Sequence, residues 1–129
     1  MSKPLRVMLV EDETISRHWI ESAVGTSRIE VELSHTETLT AAKQREQDTP
    51  HDLVILDLGL PDSTLTDTIA FADSIKGVVV AYTMHDDESI VRRLGKAGVV
   101  RMISKQFVSA EELERLLWWA DEFCKREAV

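Results

Sequence analysis

The sequence predicts an α/β chain in (βα)5 order, with a doubly wound parallel sheet of strand order 2-1-3-4-5 and helices on both faces. Three observations predict it. Five short apolar runs recur along the 129 residues, stretches of helical length and composition separate them, and the connections between the two kinds of segment are short. Strict alternation with short connections implies parallel strands joined by right-handed crossovers. For five such strands the flavodoxin-like order is the expected solution, and it places a ligand site beyond the carboxyl ends of the strands, between the first and the third.

The first strand is read in "LRVMLV", residues 5–10, and the second in "IEVELS", 29–34. The third is "DLVILD" at 52–57, the fourth "GVVVAYT" at 77–83 and the fifth "GVVRMIS" at 98–104. Runs of Val, Ile and Leu at 5, 52 and 77 suit strands covered on both faces, whereas the alternation at 29–34 suits an edge. Helices are expected at about 13–25, 36–48, 64–75, 86–97 and 109–126. Ser109 with Glu112 reads as a capping box, Asp86 or Asp87 as a cap for the fourth helix, and Gly98 as its terminator. On the last helix Leu113, Leu116, Leu117, Ala120, Phe123 and Cys124 form the expected core face.

Composition narrows the class. The chain is 43% apolar and 29% charged, and no linker or repeat divides it, so residues 1–129 read as one globular domain, either alone or as the N-terminal part of a longer protein. A net charge of −8 argues against direct nucleic-acid binding, which needs a basic footprint. Cys124 is the single cysteine and cannot form an internal disulfide. With no apolar stretch long enough for a signal peptide or a membrane span, the expected location is cytoplasmic.

"HDLVILDLGLPD" carries an acid, Asp57, directly after Leu53–Leu56, with Pro61 four residues on. Alone, Asp57 is as well explained by turn chemistry. The other predicted strand exits change its meaning: Glu11 and Asp12 follow the first strand, Thr83 ends the fourth, and Lys105 follows the fifth. Clustered carboxylates repel one another unless a cation compensates them. Mg²⁺ suits one or two carboxylates completed by water and phosphate oxygens. Asp12 and Asp57 are therefore expected as direct ligands, with a backbone carbonyl near Gly59 and with Glu11 acting through water. The Lys105 ammonium and Thr83 hydroxyl suit a phosphoryl group held beside that metal. The remaining step is attack on phosphorus by Asp57 to give an aspartyl phosphate.

With "LVEDE", "VILDLGLP", "AYT" and "ISK" each at a strand end, the chain closely resembles the receiver domain of bacterial two-component response regulators over residues 5–126. The resemblance implies phosphoryl transfer to Asp57 from a phosphohistidine on a histidine kinase or phosphotransfer protein, Mg²⁺ dependence, and a shift that alters binding to a downstream effector or fused output domain. It also implies a homodimer surface on the fourth helix, fifth strand and fifth helix, near which Trp118 is expected as an exposed anchor. Trp19 on the first helix reads as core or kinase-docking surface.

The pattern departs from the family at four places. Met102 stands where a switching aromatic is usual, and Gln106 where a proline follows the lysine. Met84 replaces a small residue after Thr83, which predicts slower access to the site, and "PDSTLTDT" lacks the usual glycine-rich continuation. An aspartate-nucleophile phosphatase would want an acid at position 59, which is Gly, and a dinucleotide module would want a glycine fingerprint where "EDETIS" stands. The alternative that stays open is a pseudo-receiver, an interaction module that is never phosphorylated.

Overall fold

The computed structural model describes residues 3–84, 88–106 and 108–127, with the side chains of 126 and 127 left aside. The strands are β1 (Leu5–Val10), β2 (Val31–Thr36), β3 (Leu53–Asp57), β4 (Val78–Thr83) and β5 (Val99–Ser104). They alternate with α1 (Thr14–Gly25), α2 (Leu39–Asp48), α3 (Leu65–Ser74), α4 (Glu88–Lys96) and α5 (Ala110–Glu127). All pairings are parallel, in the order β2-β1-β3-β4-β5.

The continuous apolar strands bury both of their faces. Val7, Leu9, Leu53, Ile55, Val80 and Tyr82 pack with Ile20 of α1 and with Leu113, Leu116, Leu117 and Ala120 of α5. The alternate residues Met8, Val10, Val54, Leu56 and Val79 pack with Leu39 and Ala42 of α2 and with Phe71 and Ala72 of α3. These strands are thus apolar at nearly every position because each serves two cores. A third cluster joins Leu58, Ala81 and Leu94, with half-buried Met102 against it.

Local signals end the helices. Thr64 and Asp67 form a reciprocal capping box on α3. Ser109 Oγ accepts from the Glu112 N–H at 3.1 Å, as the predicted cap of α5 requires. Gly98 follows α4 at φ 82°, a conformation that glycine adopts without strain. Gly77 leads into β4 so close to β3 that a Cβ there would lie 2.8 Å from the Asp52 carbonyl oxygen. The predicted cap at Asp86 or Asp87 lies outside the described residues.

Two expectations are corrected. β2 runs two residues later than read, because Val31 rather than Ile29 is the first residue paired with β1. Phe123 is not core: it is 38% exposed and stacks on Trp119, with ring centroids 5.6 Å apart. Among the described residues there is no cis peptide bond, so Lys105 and Gln106 are joined in trans. In the β4–β5 ladder the pairing steps from Val79–Val99 to Val80–Arg101, leaving Val100 as an extra residue in β5.

Candidate functional site

Strand register assembles the site. Val10 pairs with Leu56, so the residues that follow them, Glu11 and Asp57, leave adjacent strands side by side. Asp57 pairs with Tyr82 of β4, and Thr83 pairs with Ser104, the residue before Lys105. The Lys105 N–H donates to the Thr83 carbonyl at 3.0 Å, tying the β5 exit to the end of β4. The Glu11 N–H donates to Thr36 O at 3.0 Å, and His35 Nε2 lies 2.7 Å from Glu11 O, so the β1 exit is held from β2.

The side chains meet at this edge. Lys105 Nζ lies 2.5 Å from Glu11 Oε1 and 3.3 Å from Asp57 Oδ2. The Gly59 N–H donates to Asp57 Oδ1 at 2.9 Å. Glu11, Asp57 and Thr83 are buried, and Asp12 stands exposed at the rim. Each predicted site residue therefore lies at or beside one strand edge, Gly59 contributing its backbone.

Burial and charge set the protonation pattern. Desolvation pushes the Glu11 carboxyl up to about 8, reinforced by the neighbouring Asp57 and opposed by Lys105. Burial acts on Asp57 in the same direction, but its neighbours Glu11, the Gly59 N–H and Lys105 outweigh it and hold Asp57 below the usual carboxylate range. Asp12 is raised, first by desolvation and then by Asp57. For Lys105 the desolvation that lowers an ammonium is overcome by Glu11 and Asp57, and it stays charged. Protonation is thereby favoured at Glu11 and disfavoured at Asp57.

One ligand atom each from Glu11, Asp12 and Asp57 lie within 4.8 Å of one another. Glu11 Oε2 is buried without a hydrogen-bond partner. An unsatisfied buried carboxylate oxygen within an acidic cluster has the donor chemistry that a hard divalent cation takes.

The family model of the response regulator receiver domain matches residues 7–117. The chain belongs to this family. No curated protein sequence matches the receiver at a significant level. Among solved structures it is similar to the signal receiver domain of a Vibrio parahaemolyticus protein described as a Luxo repressor, at 26% identity and TM-score 0.86, covering 98% of this chain and 96% of that one. The signal receiver domain of an HD domain-containing protein from Pseudomonas fluorescens Pf-5 aligns with TM-score 0.84 at 19% identity, over 100% and 96% of the two chains. The Mn²⁺-bound response regulator Rcp1 aligns with TM-score 0.74 at 22% identity, over 93% and 94%.

Receiver domains bind Mg²⁺ at an acidic pocket, and this receiver carries an acidic group able to hold a metal. No described helix is long and apolar enough to cross a membrane. Two residues, one at the site and one in the connection that leaves it, escaped the sequence reading of this receiver. Tyr82, the aromatic of "AYT", has its ring centroid 5.4 Å from Lys105 Nζ. Asp62, in the connection that lacks the usual glycine-rich continuation, accepts from Leu39 N, Thr40 N and Thr40 Oγ1 at the start of α2. The signal for Tyr82 was present, since it is the one aromatic of β4; that for Asp62 was not, because its partners lie 22 and 23 residues away.

Trp118 is tied to a neighbouring element rather than standing alone on α5. Trp118 Nε1 donates to Glu114 Oε2, and Glu114 in turn accepts from the Ser27 hydroxyl and the Arg28 N–H in the turn after α1. Trp118 therefore lies on the α1 side of α5. Trp119, about 100° further round the helix, is also exposed and stacks on Phe123.

Proposed function

We propose that this receiver is phosphorylated on Asp57 by a histidine kinase or phosphotransfer protein, and that the phosphorylated state changes its binding to an effector or output domain. The observation that carries the reading is the Asp57 carboxylate, fixed at the exit of a fully buried strand with Lys105 Nζ 3.3 Å from one oxygen and the Gly59 N–H on the other. In the reaction an Asp57 oxygen forms a new P–O bond as the P–N bond to phosphohistidine breaks, and the leaving imidazole takes up a proton. Lys105 turns its charge from Asp57 toward the incoming phosphoryl oxygens, and the Thr83 hydroxyl donates to another. Asp12, Asp57 and the Gly59 carbonyl, with Glu11 through water, would hold Mg²⁺, which would supply charge neutralisation when bound. Its fit rests on the donor set and on the unpartnered Glu11 oxygen. The Mn²⁺-bound Rcp1 is a structural relative consistent with that assignment.

The chain acts as one receiver domain in the cytoplasm, without direct contact to nucleic acid. It pairs with a second copy through α4, β5 and α5, where α5 exposes the stacked Trp119 and Phe123, α4 exposes Val91 and β5 exposes Val100. Intact-mass spectrometry with acetyl phosphate and Mg²⁺ tests the central reading. One phosphoryl group is expected on wild type and none on Asp57→Asn; no adduct on wild type at saturating donor would leave the pseudo-receiver.

A further inference from the structure

Lys105 is a buried ammonium, with a side chain 8% exposed. Such a group needs all its sides satisfied, and Glu11 and Asp57 occupy two of them. A third is faced by the Tyr82 ring, 5.4 Å away at its centroid. Tyr82 is 2% exposed and packs in the core between β4, α1 and α5, and its hydroxyl reaches the Ser16 carbonyl of α1 at 3.5 Å. Its backbone pairs with Asp57 on one side and with Ile103, two residues before Lys105, on the other. The ring therefore stands between the strand exits that carry the two partners of the ion pair.

We infer that Tyr82 is a positioning residue: its ring face holds the Lys105 ammonium where it can meet a phosphoryl group arriving on Asp57. The inference rests on the phosphoacceptor reading of Asp57. A lysine has a flexible four-carbon stem and a compact charge, so without a rigid wall its head samples positions away from the reacting oxygens. An aromatic face attracts the cation while offering no lone pair that would compete with phosphate. The packed core fixes the ring, and the reach to Ser16 links the position of Lys105 to α1.

Two variants separate ring from hydroxyl. Tyr82→Leu is expected to slow phosphorylation by acetyl phosphate and Mg²⁺ about three- to ten-fold at saturating donor, with little change in KM, the loss being one of orientation. Tyr82→Phe keeps the ring and rescues the rate. The unphosphorylated protein gives an independent readout by NMR: the Lys105 ε-methylene protons should be displaced upfield by the ring in wild type and Tyr82→Phe, and not in Tyr82→Leu. A folded Tyr82→Leu protein with the wild-type rate would overturn the inference, as would a Phe variant as slow as the Leu variant. If Tyr82→Leu does not fold, the Lys105 protons of wild type and Tyr82→Phe decide, and the absence of upfield displacement in both rejects the contact. Failure of wild type to take phosphate at all would instead count against the phosphoacceptor reading, because the NMR readout does not depend on it.

Discussion

The Asp62 carboxylate closes the N-terminus of α2 by accepting the Leu39 N–H on Oδ1 at 2.8 Å and the Thr40 N–H on Oδ2 at 3.1 Å. Thr38 takes the next donor, Ala41 N–H, at 3.1 Å. The opening donors of the helix are thus satisfied, two of them by a residue from the connection that follows Asp57. α2 needs this support, since only Leu39 and Ala42 of its ten residues are buried.

The first prediction follows from that latch. Asp62→Ala should speed amide exchange at Leu39 and Thr40 about five-fold, by the usual cost of a lost cap, while β1 and β3 keep their protection. Hydrogen–deuterium exchange with residue resolution checks it; unchanged α2 protection would show that the latch contributes nothing.

Glu11 makes stability depend on pH. Its carboxyl titrates near 8 when folded and near 4.5 as an unperturbed group, so between these values the folded state holds a proton that the unfolded state has lost. Stability contributed by this group is complete below about 4.5 and falls as pH rises toward 8. With a chelator present, Tm should therefore be lower at pH 8.5 than at pH 6, and Glu11→Gln should flatten that drop. Thermal melts across this range, for wild type and variant, are the measurement.

Met84, next to buried Thr83, is 54% exposed. As a bulky apolar neighbour of Thr83 it should impede donors and water alike. Met84→Ala is expected to raise both phosphorylation and aspartyl-phosphate hydrolysis about two- to five-fold by opening the site to solvent. Rates equal to wild type would show that Met84 covers nothing.

The stacked pair on α5 makes a prediction about assembly. Replacing Trp119 and Phe123 by alanine should weaken self-association at least about ten-fold, as loss of an aromatic anchor does, whereas Trp118→Ala should not. Sedimentation velocity with and without a phosphoryl mimic is the check. A wild type that stays monomeric in both would remove the dimer from the proposal.

The five strands and the site residues at their exits were readable because each is a local signal, an apolar run followed by an acid, a hydroxyl or an amine. Contacts between distant segments were not. Asp62 meets Leu39, and Lys105 meets the Tyr82 ring, only through strand register and loop path. The helical wheel identified Leu113, Leu116, Leu117 and Ala120 correctly because sheet lies beneath them. It misplaced Phe123, which stacks on Trp119 at the surface instead, because periodicity does not tell how wide the buried stripe of a helix is. The β2 offset has a similar origin: Ile29 packs against the core without belonging to the ladder.

The extra residue at Val100 has a consequence for the life of the chain in a crowded solution. An open parallel sheet ends in two strands with unpaired backbone groups, and a long regular one is a template on which other chains can stack into fibres. A bulge twists the strand and breaks its hydrogen-bonding rhythm, so β5 offers a poor template although Val100 points an apolar side chain outward. Contact on this flank is thereby steered toward side chains, which can be reversed, and away from continuous sheet, which seldom is. Deleting Val100 should regularise the ladder and make the protein more prone to form fibrils, an outcome that thioflavin binding on prolonged incubation would reveal.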